Sequence, residues 1–171
     1  FRGTPSAMWL NHVFANVFGL DVRLDASTAD QYYDAITVDS GFSLAYAMNW
    51  MDTMKATYKV TDKDLNAVIG LRHFSIPIAY TDEIWAKYKL GEFAKLNDPK
   101  TNAPATRNIF YKPQQGDLMF PTMAIDLLQP RGVTFVVCNI AHTVISGMLG
   151  AQVGVPAEQA KAEFTKGMIR N

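Results

Sequence analysis

The only cysteine of the chain, Cys138, closes the β-branched run Gly132-Val133-Thr134-Phe135-Val136-Val137, and Asn139 and a helical pattern follow it at once. In open α/β sheets the carboxyl ends of strands are where ligands and chemistry gather. A helix start there favours negative charge, so Cys138 is a candidate nucleophile or persulfide carrier. The alternative is a buried, inert cysteine, because free cysteines are among the most buried residues and no basic residue stands beside this one in sequence. His73 ends a second apolar run, Leu65 to Phe74. If the two strands are parallel, it reaches the same sheet edge, where it would hold a ligand, act as acid or base, or polarise the thiol. A hydrogen-bonded structural histidine is the competing reading. Arg72 precedes His73, and strand alternation sends it to the opposite face. His142 lies one helical turn after Cys138 and, with Asn139, is expected to line a ligand pocket beside the thiol.

Other chemistry lacks its signature. There is no His-x-x-x-His, no paired carboxylate with the histidines, no Walker loop, no Gly-x-Gly-x-x-Gly and no Gly-x-Ser-x-Gly. No metal site and no cofactor are therefore expected. A single cysteine excludes an internal disulfide. Sixteen basic residues balance sixteen acidic ones, so no net field favours nucleic acid. No apolar run approaches the roughly 18 residues of a spanning helix, and no transmembrane span is expected.

The elements that must position these groups follow from periodicity. Strands are expected at Gln31–Ile36, at 65–74 and at 133–138, and helices at 42–58, 81–90, 122–129, 140–149 and from 156 onward. Alternation of strands and helices implies a layered α/β domain with a parallel sheet and, through right-handed crossovers, helices on both faces. Three strands make a small sheet, which suggests a further strand, an oligomer, or cover from the N-terminal piece. Residues 95–121 hold four prolines and little periodicity, the mark of a functional or partner-binding loop.

Residues 1–28 read as an extension to a domain at 29–171. Ser6 is a candidate N-cap, and Leu10, Val13, Phe14, Val17 and Phe18 fall on one helical stripe with Trp9 beside it. Such a stripe packs on the domain's own sheet or docks on a partner. Its polar face lacks the basic residues of a lipid-binding helix, so a protein partner is favoured over lipid.

Several stretches resemble exported DsrE-like proteins: Asp30-Gln31-Tyr32-Tyr33-Asp34-Ala35, Gly41-Phe42-Ser43-Leu44, Asn66 through His73, Ile84 through Glu92, Asn97-Asp98-Pro99 with Ala103 through Asn108, and Gly132-Val133 with Val137-Cys138-Asn139. The resemblance covers about residues 30 to 170. It implies a three-layer, flavodoxin-like DsrE-type sheet, export to the periplasm with removal of a leader before Phe1, and membership of a group that relays sulfur as cysteine persulfide, usually as oligomers. Two functions follow as expectations. The favoured one is a non-catalytic periplasmic subunit that scaffolds a larger assembly, peripheral to a membrane complex, through residues 1–28 and 95–121. The other is a small thiol protein that carries persulfide on Cys138 with help from His73. Whether the chain is an enzyme stays open at this level.

Overall fold

The computed structural model describes residues 29–170. Trp9, Leu10, Val13, Phe14, Val17 and Phe18, the expected docking stripe, lie outside the described residues.

Three strands form one parallel sheet: β1 (Ala29–Ala35), β2 (Leu65–Leu71) and β3 (Thr134–Val137), in the order β1-β2-β3. The fold class is thus mixed α/β with a parallel sheet. The register pairs Ala35 with Leu71 and Leu71 with Val137, so all three strands end at one edge. β2 is central and buried along most of its length, which accounts for its nearly unbroken apolar run.

Helix α1 (Phe42–Tyr58) carries the first crossover. Its fully buried Leu44, Ala47 and Met51 recur at helical spacing and pack on Ala35, Ala67, Ile69 and Leu71 of the sheet. Each large apolar side chain buried there contributes about 1.5–3 kcal/mol. Two short helices follow β2, α2 (Asp82–Lys87) and α3 (Leu90–Ala94), where the periodicity suggests one. Lys89 between them takes a left-handed backbone, φ 53°, which breaks the run.

Residues 95–121 are irregular, as the composition implies, but they are tied into the domain. The Arg107 guanidinium pairs with Asp117 at 2.6 and 2.7 Å and with Asp98 at 2.8 Å. Asn108 Nδ2 donates to the carbonyls of Ile78 and Tyr80, both at 2.8 Å. Ile109 and Phe110 then enter the core under α1. Helix α4 (Ile125–Leu128) leads to β3.

Because the strand order steps in one direction, both right-handed crossovers fall on the same face. That face holds α1, α4 and the 95–121 segment. On the other face, Val68, Val136 and Cys138 cluster with Tyr32 and with Ala141 of α5 (Asn139–Gln152). Among the described residues, the expected helical cover of both faces is thus a full layer on one side and the start of α5 on the other. Helix α6 (Ala157–Lys166) packs along α5, with Gly150 approaching so closely that a Cβ there would lie 2.6 Å from that of Ala160. A second core of Ile76, Tyr80, Trp85, Tyr88, Leu149 and Phe164 joins these helices to α2. Among the described residues, no single helix is long and apolar enough to cross a membrane.

Candidate functional site

Register decides which side chains meet Cys138. The Cys138 amide donates to the Leu71 carbonyl at 2.9 Å, one step beyond the last ladder pair. Arg72 therefore stands level with Cys138, and its own amide donates to Ala35 at 3.1 Å. Partners in a parallel ladder share a face. Tyr32, Asp34, Gly70, Arg72, Val136 and Cys138 all fall on the second face by this rule. The face-mate of Cys138 is thus Arg72 rather than His73.

The Arg72 guanidinium is held in place by Asp34. Its Nε and Nη2 donate to the two carboxylate oxygens, each at 2.6 Å. This fork geometry fixes a planar cation, and the Asp34 bonds hold Arg72 above its usual range. Cys138 lies close enough to interact electrostatically with both Arg72 and Tyr32. Tyr32 leans across the sheet over Gly70, where a Cβ would collide with the phenol. Burial, then the Asp34 carboxylate, push its phenol up to about 12. Tyr32 is therefore neutral at physiological pH, and it packs in the same cluster as Cys138.

His73 belongs to the group indirectly. β2 ends at Leu71, two residues before His73, and His73 begins a 3₁₀ segment (His73–Ala79) with φ 51°. This break cancels the alternation that was expected to separate Arg72 from His73. Arg72 Nη1 lies 3.0 Å from His73 Nδ1. Arginine has no acceptor, so Nδ1 accepts, and the proton of the neutral ring sits on Nε2. Among the described residues no hydrogen bond joins His73 to Cys138.

Cys138 occupies the N-cap position of the 14-residue α5 with no side-chain cap bond. Its residue is 9 % exposed, and it is a free cysteine. Sulfur, guanidinium and phenol thus share one face of the sheet at a helix start. Beyond the thiol, α5 turns an uncharged apolar stripe outward: Ile140, Val144 and Met148 are 67, 61 and 42 % exposed.

Asn139 and His142 line a cavity of about 460 Å³, but Cys138 does not line it. His142 is only 4 % exposed. Thr165 Oγ1 donates to the Lys161 carbonyl at 2.8 Å, so it accepts from His142 Nε2 at 3.0 Å. His142 Nδ1 is then the acceptor for the buried Tyr80 hydroxyl at 2.8 Å. Both ring nitrogens are occupied, and burial, with Lys161 adding to it, holds the imidazole below its usual range. His142 thus joins α5 and α6 to the segment before α2 and is not placed to exchange protons with the thiol. Among the described residues no three His, Cys, Asp or Glu side chains gather as metal ligands.

Sequence reading missed Arg72, Asp34 and Tyr32. Asp34 and Arg72 lie 38 residues apart. The only signal was an acidic and a basic residue each at a strand end.

No family model matches the chain, and no solved structure matches it. The chain is similar over 36 residues to curated uronate isomerases: 75 % identical to that of Xanthomonas euvesicatoria pv. vesicatoria (strain 85-10), 72 % to that of Xanthomonas campestris pv. campestris (strain B100) and 67 % to that of Phenylobacterium zucineum (strain HLK1). The similarity takes in 21 % of this chain and 8 % of the length of each relative.

Proposed function

We propose that this chain is an exported DsrE-like protein whose C-terminal sheet edge carries sulfur on Cys138. The observation that supports this most is the setting of the thiol by strand register beside an Asp34-clamped Arg72, with Tyr32 on the same face. The reaction is an exchange. The Cys138 sulfur attacks the outer sulfur of a donor persulfide, R–S–SH. The donor's S–S bond breaks, its inner sulfur leaves as a thiolate and takes up a proton, and Cys138 becomes Cys–S–SH. Arg72 and the start of α5 balance the negative charge that passes between the sulfurs, and Tyr32 packs beside the thiol. Glutathione persulfide tests this. A mass increment of one sulfur atom should appear on the Cys138 peptide, vanish in Cys138→Ser and form about tenfold or more slowly in Arg72→Ala, because a lost charge-assisted bond costs about 1.5–3 kcal/mol. Loading at equal rates in wild type and Arg72→Ala would end the proposal.

A second reading, a non-catalytic periplasmic subunit of a larger assembly, draws support from the exposed stripe Ile140, Val144 and Met148 on a helix with no charged residue. An exposed apolar row of this kind suits a partner surface. Val144→Asp with Met148→Asp should strip co-eluting subunits in a native purification and leave persulfide loading intact. Unchanged co-elution would remove this reading. The 36-residue likeness to uronate isomerases spans too little of those proteins to bring their activity with it.

A further inference from the structure

The cavity beside β3 has a chemistry of its own. Its volume, about 460 Å³, lies within the range of small-molecule sites. The apolar wall comes from several elements: Ile78 precedes α2, Ile125 begins α4, Val137 ends β3, and Met168 and Ile169 follow α6. The last wall is pinned. Ile169 donates its amide to the Ala79 carbonyl at 2.8 Å, and Met168 bridges Tyr80 in antiparallel fashion.

The polar members of the lining can be accounted for one by one. His142 has both nitrogens occupied, and Thr165 Oγ1 is engaged as donor and acceptor. Gln129 Nε2 donates to the Arg170 carbonyl at 2.8 Å. Asn139 and Arg170, both solvent-accessible members of the lining, remain, with the Gln129 amide oxygen. Arg170 forms no ion pair among the described residues, and no Asp or Glu is in the described lining. Among the described residues the cavity therefore joins an apolar body to one arginine and two amide residues, with no carboxylate in its lining. Guanidinium groups recognise carboxylates through two parallel bonds.

We propose that this cavity binds an amphipathic carboxylate, with its apolar body against Ile78, Ile125 and Val137 and its carboxylate on Arg170 and Asn139. Cys138 lies outside the cavity, so this site stands or falls separately from persulfide loading.

Calorimetry on the whole chain tests it with decanoate, decan-1-ol and decyltrimethylammonium. Decanoate should bind saturably, and the alcohol and the cation about tenfold or more weakly, the scale of one charge-assisted bond. Arg170→Gln, an exposed change that spares the core, should lower decanoate affinity by a similar factor and leave the alcohol unchanged. Decanoate should also shift the amide resonances of Asn139, Gln129 and Thr165 in a nitrogen-labelled sample. Equal affinity for the three probes, no saturable decanoate binding, or shifts confined to the outward Ile140–Met148 stripe would each overturn the proposal.

Discussion

His73 and His142 stand on two sides of the same sheet edge, and their partners set them apart. His73 is exposed and receives one bond, from a guanidinium that can only donate. His142 is buried, takes a proton from Tyr80 and gives one to Thr165. The difference teaches that a histidine's place near a candidate nucleophile says little until its donors and acceptors are counted. One edge of the molecule is charged and open, with its members fixed by strand register. The other closes over a neutral His142, with its members fixed by helix packing.

The largest effect expected is collapse of the closed side. The Phe164 ring lies edge-on to Tyr80 at 4.9 Å and tilted against Tyr88 at 4.6 Å, fully buried. Phe164→Ala should cost about 3–5 kcal/mol in urea unfolding. If the two regions are separate, alkylation of Cys138 in the still-folded protein should proceed at the wild-type rate. A changed rate would show that the helical side also shapes the thiol.

On the open side the counterpart is Gly70→Ala. The new methyl must displace the Tyr32 phenol, and crowding of this kind costs about 1–3 kcal/mol. Because Tyr32 packs with Cys138, Val68 and Val136, its displacement should speed alkylation of Cys138 by iodoacetamide. An unchanged alkylation rate in a folded variant would mean that Tyr32 does not shield the sulfur.

Much of this layout was readable in the residues. The run Val133–Val137 has the β-branched content of a strand, and α5 begins at Asn139, directly after Cys138, where the pattern changes period. Leu44, Met48 and Met51 announce the inner face of α1, whereas Tyr58, expected on the same apolar run, is 66 % exposed at the helix end. The pairing of Cys138 with Arg72 was not readable, because it depends on which residues of two distant strands stand level. Alternation alone sent Arg72 away from His73. It failed because β2 stops at Leu71 and a left-handed residue restarts the chain direction at His73. The closed state of His142 was hidden for a similar reason, since Tyr80 and Thr165 reach it from 62 and 23 residues away.

A pH titration reads the helical side in two windows, with the same sign in each. Burial lowers the folded-state pKa of His142 from its ordinary 6.5. The stability tied to its neutral form is fully present above that value and is lost as pH falls below it, because the unfolded chain then binds a proton that the folded chain resists. Glu163 acts in a lower window. Bonds from Lys87, Gln159 and Tyr88 hold its carboxyl near 2 against an ordinary 4.5, so its share is lost only as pH falls from about 4.5 toward 2. Chemical unfolding between pH 7 and 5 should show the first loss in wild type and a flatter profile in His142→Gln. Identical slopes would exclude His142 as the source.

The smallest stability effect, and the finest test of the comparison, belongs to Asp34→Asn. The Asp34–Arg72 pair is partly exposed, with side chains 41 and 29 % accessible, and pairs of this sort contribute about 0–1 kcal/mol. The melting temperature should barely move. Reactivity should move, because the amide withdraws the charge that holds the guanidinium on the Cys138 face. If Arg72 then swings toward solvent, persulfide loading should slow as it does in Arg72→Ala. If loading instead quickens, the guanidinium freed from its carboxylate gives more of its charge to sulfur, and Asp34 is a brake rather than a clamp. In both outcomes the alkylation rate of Cys138 in His142→Gln should stay at the wild-type value, since no hydrogen bond links that ring to the thiol.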